Sequence, residues 1–141
     1  MKTLVILLFS ALLLSASDIA DFAQKMQYET VYETAKARAL KENKPLMMVM
    51  VTHYCPWCRK FERRTLEKSS VNTIVQKNFV PLIVNREAKL YPKQFFTPRI
   101  PVVFFIDPKK ESHFWESIGY KTISEFSSQI RSALDNRNGE Y

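Results

Sequence analysis

Apolar residues recur at helical spacing from Tyr28 through Val31, Tyr32, Ala35, Ala39 and Leu40, with Glu29, Glu33, Lys36, Arg38, Lys41 and Glu42 on the other face. That period predicts mostly helix over residues 18–43. Asn43-Lys44-Pro45 ends it, because the residue before a proline avoids helical angles. Leu46 to Thr52 is apolar nearly throughout, the pattern of a strand covered on both faces. A helix is expected from about Cys55 to Leu66, and Ser69-Ser70 is placed to cap another that carries Val71, Ile74 and Val75. Phe79 to Val84 reads as a strand, and its Pro81 favours a strand's beginning or an edge. Residues 86–99 are broken at Tyr91-Pro92 and Thr97-Pro98, with room for a short helix between. Val102 to Ile106 and His113 to Ile118 read as strands on either side of the turn Asp107-Pro108-Lys109-Lys110. Gly119 turns the chain, and Thr122 caps a last helix with Ile123, Phe126, Ile130 and Leu134 on one face. The polar residues 135–141 are expected to fray.

This order sets the topology. Two strands separated by helix pair in parallel through a right-handed crossover, and two joined by a short turn pair antiparallel. The expectation is an α/β fold, a mixed four-stranded sheet with helices on both faces. No internal repeat or low-complexity run interrupts it.

The first residues change the setting. Lys2, the apolar run Leu4 to Leu14 and the small residues Ser15-Ala16-Ser17 form the pattern of a secretory signal ending before Asp18. The run is shorter than the roughly 20 residues of a membrane span. Residues 1–17 are therefore expected to be a signal peptide and 18–141 one domain in an exported, periplasmic protein. Removal of Lys2 takes the net charge from +7 to +6. The remaining charges are scattered, which argues for solvated faces and against nucleic acid as a partner.

Two cysteines complete the picture, in the run Cys55-Pro56-Trp57-Cys58 between a predicted strand and a predicted helix. A loop closed over two intervening residues constrains the unfolded chain little, so a structural staple is a poor explanation. A thiol at the first turn of a helix meets free backbone N–H groups and the positive end of the macrodipole, which favour thiolate. Cys58, one turn on, is within reach to close a disulfide. The pattern points to dithiol–disulfide exchange. Trp57 is expected as an exposed apolar patch beside the sulfur. His53 has two readings, thiolate stabiliser or proton shuttle on one side and surface residue on the other. Arg59, Lys60, Arg63 and Arg64 either add positive potential or form a solvated face.

CxxC after a strand, followed well downstream by Arg99-Ile100-Pro101 leading into the strand from Val102, resembles the thioredoxin superfamily over nearly all of residues 26–135. The long N-terminal helix and the Tyr-Cys-x-x-Cys-x-x-Phe run resemble its small exported bacterial members. The resemblance implies a thioredoxin-like fold in which Cys55 attacks a substrate disulfide and Cys58 resolves the mixed disulfide. Pro101 would be cis against the sulfurs, with Pro98 the competing candidate. The backbone of Ile100 would bind an extended substrate strand. The chain departs from typical thioredoxins in three places. Val49 stands where they carry an aspartate, Tyr54 where they carry Trp, and Pro56-Trp57 where they carry Gly-Pro.

The function expected is a periplasmic thiol–disulfide oxidoreductase that reduces exported proteins, with apocytochromes c as a client type and a membrane thiol–disulfide electron donor to recharge it. Ile100 before the proline resembles reducing members. Oxidase or isomerase activity is the alternative, and a copper metallochaperone or a purely structural binding module are different classes. No cofactor is expected and no metal: zinc wants four ligands, and His53, Cys55 and Cys58 supply three. Met47, Met48 and Met50 lie in a predicted buried strand. Arg59 occupies the position where a c-type haem motif needs histidine.

Overall fold

The computed structural model describes residues 18–139, so the expected signal segment 1–17 lies outside the described residues. At the centre of the sheet is β1 (Leu46–Val51), every residue of which is buried. It pairs in parallel with β2 (Val80–Asn85) and antiparallel with β3 (Val102–Asp107), and β3 pairs antiparallel with β4 (Ser112–Ile118). The order β2-β1-β3-β4 is the mixed four-stranded sheet expected. Pro81 sits in the edge strand β2, where a missing N–H costs least.

Alternation along β1 explains its unbroken apolar character. Met47, Val49 and Val51 enter one core, together with both cysteines and Phe105. Leu46, Met48 and Met50 enter the other. The three methionines thus point to opposite faces of the sheet, so they pack the two cores and do not gather as ligands. The first core is covered by α1 (Asp18–Met26), α3 (Pro56–Phe61), α4 (Ser69–Asn78) and α5 (Ile123–Gly139). The second is covered by α2 (Tyr32–Glu42) and by Tyr91 and Phe95 of the β2–β3 connection. That connection holds two short 3₁₀ turns, Arg86–Ala88 and Lys93–Phe95.

Four local expectations are corrected. Residues 18–43 form two helices, because Gln27 turns left-handed (φ 59°) and Glu29 joins the free edge of β2. Its N–H donates to the Pro81 carbonyl and its carbonyl accepts from Ile83, both at 2.9 Å. The helical spacing of Tyr28 and Tyr32 was coincidental: Tyr28 packs in the first core, 5.2 Å from Phe22 between ring centres, and Tyr32 in the second. Ser69 does not cap α4. The helix begins at Ser69 after Lys68, and no side chain caps it. The helix after the cysteines changes pitch, with a π-helical turn over Glu62–Leu66. The C-terminal residues remain helical to Gly139, since Ala133 and Leu134 still pack on the first core. Thr122 caps α5 as expected: Glu125 N–H donates to Thr122 Oγ1 (3.3 Å), and Thr122 N–H to Glu125 Oε2 (2.8 Å). Among the described residues no helix is long and apolar enough to cross a membrane.

Candidate active site

Cys55 is the N-cap of α3, with extended backbone angles (φ −133°, ψ 95°), and Pro56 fills the first helical position, where its missing N–H is harmless. The Cys55 carbonyl accepts the first helical bond from Arg59 N–H at 3.1 Å. Its sulfur accepts from the Cys58 N–H, also at 3.1 Å. An otherwise unpaired amide at a helix start is therefore aimed at the sulfur, the position where a thiolate is favoured. Cys55 and Cys58 are joined in a disulfide, with Cα atoms 5.2 Å apart. Both cysteines are buried, Cys55 retaining 8% exposure and Cys58 none.

Around this pair the sequence-derived residues divide. Tyr54 is 99% exposed and Trp57 57%, large apolar groups flanking Cys55 in the chain. The Ile100–Pro101 peptide bond is cis, whereas Pro98 is not. Pro101 is buried, and its carbonyl accepts from Gly119 N–H at 2.7 Å. Ile100 packs against the core cluster that contains both cysteines. His53 is exposed and lines a groove with Ile19, Thr30, Ile83 and Leu90, a set that includes neither cysteine.

The four cations after the motif take different places. Arg63 and Arg64 are exposed. Lys60 Nζ lies 4.6 Å from the Trp57 ring centre and 4.8 Å from that of Tyr120, and the two rings are 5.7 Å apart. Arg59 turns inward. Its Nη2 donates to the Thr52 carbonyl at 3.3 Å and stands 2.8 Å from Glu62 Oε1. Glu62 is 4% exposed, and burial pushes its carboxyl up to about 7 against the pull of Arg59.

Sequence reasoning missed Tyr120 and Glu62. Tyr120 is brought to Trp57 only by the return of the chain after β4. Glu62 did carry a signal: it lies four residues after Cys58, on the face that also holds Phe61, Thr65 and Leu66. An acid on a helix's apolar stripe is an anomaly worth noting.

A strand-loop-helix cysteine pair on a four-stranded mixed sheet, with a cis-proline bond leading into β3, defines a thioredoxin-fold redox protein. Residues 27–108 match the thioredoxin-like family, more than half of the chain, and the chain belongs to that family. Over 80 residues it is 32% identical to anterior gradient protein 3 of Xenopus tropicalis, covering 55% of this chain and 47% of that protein. Over 52 residues it is 31% identical to spermatogenesis-associated protein 20 of Rattus norvegicus, covering 37% and 7%. The chain thus spans less than half the length of these relatives. The fold is similar to that of a thioredoxin from Thermus thermophilus, with a TM-score of 0.65, 20% identity, and 74% of this chain and 85% of that chain covered. It is equally similar to the DsbH oxidoreductase, with a TM-score of 0.66, 20% identity, and 77% and 84% covered.

Proposed function

We propose that this chain is an exported thiol–disulfide oxidoreductase that reduces disulfides of other exported proteins. The observation that carries the reading is the asymmetry of the pair: a cysteine at a helix N-terminus that keeps a little exposure, with a fully buried partner one turn on. In the reduced protein the Cys55 thiolate attacks a client disulfide. One client sulfur leaves as a thiol, and the other is held as a mixed disulfide. Cys58 then attacks Cys55 Sγ, which releases the second client thiol and leaves the Cys55–Cys58 disulfide. Two electrons pass to the client, and a thiol donor must return them.

Tyr54 and Trp57 supply apolar area for an unfolded or extended client segment, and Ile100 supplies backbone beside the cis bond for strand-like pairing. The N-terminal pattern of Lys2 and Leu4 to Leu14 supports export, and with it a membrane-bound electron donor and clients such as apocytochromes c. Reduction is favoured by Ile100 before the proline.

Insulin reduction with dithiothreitol tests the activity. Wild type should accelerate precipitation, and Cys55→Ser should abolish the effect. Cys58→Ser should accumulate a mixed disulfide with client, and failure to trap any would overturn the reading. Equilibration with glutathione fixes direction: a potential near that of thioredoxins, about −270 mV, supports reduction, and one near about −120 mV makes the protein an oxidase.

A further inference from the structure

Among the described residues, the most exposed large apolar side chains after Tyr54 are Leu90 (77%) and Phe96 (60%), both in the β2–β3 connection. Phe96 lines a groove of about 400 Å³ with Lys89, Tyr91 and Lys93. Tyr91 is shared with a second groove, which Leu90 and the exposed Val31 also line. Leu90 and Thr30 are shared in turn with a third, which reaches His53. The common walls make these one path. We propose that this path docks the stretch of a client that flanks its disulfide, and that it selects apolar stretches carrying an acidic residue against Lys89 and Lys93. The inference rests on the dithiol-exchange reading above.

The walls indicate the occupant. Tyr91 and Phe96 offer aromatic surface to apolar side chains. No acid lines the stretch that Lys89 and Lys93 share. Both lysines are exposed, and neither has an ionic partner among the described residues. Two unpaired ammonium groups on one apolar groove suit a partner that brings negative charge and apolar surface together. Glu33 lines only the middle stretch, so the preference for an acid belongs to the lysine end.

The loop is also held ready. Arg86 Nη1 donates to the Pro98 carbonyl at 2.8 Å and ties its two ends together. The Tyr91 hydroxyl donates to the Arg86 carbonyl, also at 2.8 Å, and Phe95 anchors the loop in the second core. A surface fixed before docking loses little entropy when it is occupied. A bilayer is the competing partner for apolar and basic side chains. It would meet protruding groups, whereas Tyr91 is buried and lines two of the three stretches.

Chain length brings both ends of the path within reach of the chemistry. His53 is two residues before Cys55, so their Cα atoms are at most about 8 Å apart. Phe96 is four residues before Ile100, at most about 15 Å away. A client held beside the cis bond therefore reaches Phe96 with about five further extended residues.

Two synthetic peptides test the selection. They share a disulfide and apolar flanks, which end in glutamates in one and in lysines in the other. Wild type should reduce the acidic peptide with a KM about tenfold lower and an equal kcat. Lys89→Glu combined with Lys93→Glu should reverse the preference, and Phe96→Ala should raise both KM values on the order of tenfold. Equal KM values in wild type, or a preference that survives charge reversal, overturn the proposal. Hydroxyethyl disulfide is too small to span the path, and wild type and variants should reduce it equally. If wild type fails to reduce it, the exchange reading falls instead. Docking is then read by titrating the oxidised protein with the same peptides carrying serine for cysteine. Tighter binding of the acidic one supports the proposal, and equal affinities overturn it. Cosedimentation with phosphatidylglycerol vesicles, lost in the double variant and joined to an absent peptide preference, would assign the surface to a membrane and overturn it too.

Discussion

Lys60 Nζ stands 4.6 Å above the Trp57 ring, holding the motif's own tryptophan against Tyr120. A cation over an exposed aromatic face contributes about 0.5–1 kcal/mol. If clients bind to Trp57, its immobilisation lowers the entropy lost on docking. Lys60→Gln should therefore raise KM for a protein disulfide about two- to fivefold, the factor equivalent to that energy, and leave kcat unchanged. Steady-state insulin reduction at several client concentrations checks this, and an equal loss in kcat would place Lys60 in the chemistry.

Cys55 Sγ accepts from the Cys58 N–H at 3.1 Å, and Cys55 keeps 8% exposure where Cys58 has none. In the reduced protein, alkylation of Cys55 by iodoacetamide should have its pH midpoint below the value of about 8.5 for free cysteine. Cys58 should stay unmodified until the protein is denatured. Mass spectrometry of peptides from a pH series measures both.

Phe61 couples the cysteine helix to α5. It is 1% exposed, and its ring meets Phe126 edge-to-face at 5.1 Å and Tyr120 at 6.4 Å. Phe61→Ala should cost about 3–5 kcal/mol, the range for buried phenylalanines, read as a lower urea midpoint. The Trp57 platform should loosen with it, through Tyr120.

Glu62 makes stability depend on pH in a definite direction. Its carboxyl has an ordinary value of 4.5 and a folded value of about 7, so the fold holds a proton that the unfolded chain releases first. The contribution is fully present below 4.5, falls as pH rises and is gone once pH passes about 7. It amounts to about 3 kcal/mol. Urea titrations of the oxidised protein should show wild type losing that much relative to Glu62→Gln between about pH 4 and pH 8. A flat difference would mean that Glu62 is ionised throughout.

Much of the fold was legible along the chain. The unbroken apolar run of β1 announced a strand covered on both faces, and two-residue alternation then sorted Met47 from Met48 and Met50. Ile100-Pro101 before β3 marked the cis bond. Tyr28 and Tyr32 misled, because helical spacing cannot register that the backbone leaves the helix at Gln27 to pair with the edge of β2. Ser69 misled because a capping residue type says nothing about which residue starts the helix.

Sequence alone determined the parallel and antiparallel pairings, the two-sided core and the place of the cysteine pair between strand and helix, since periodicity and spacing are properties of neighbours along the chain. Only tertiary structure decided that Lys60 and Tyr120 meet over Trp57, that His53 lines a groove that includes neither cysteine, and that Arg59 and Glu62 of the cysteine helix pair with each other. Those contacts join segments far apart in the chain or depend on which side of a helix α1 covers. Burial sets the charge state of an acid, and burial is a property of the packed molecule.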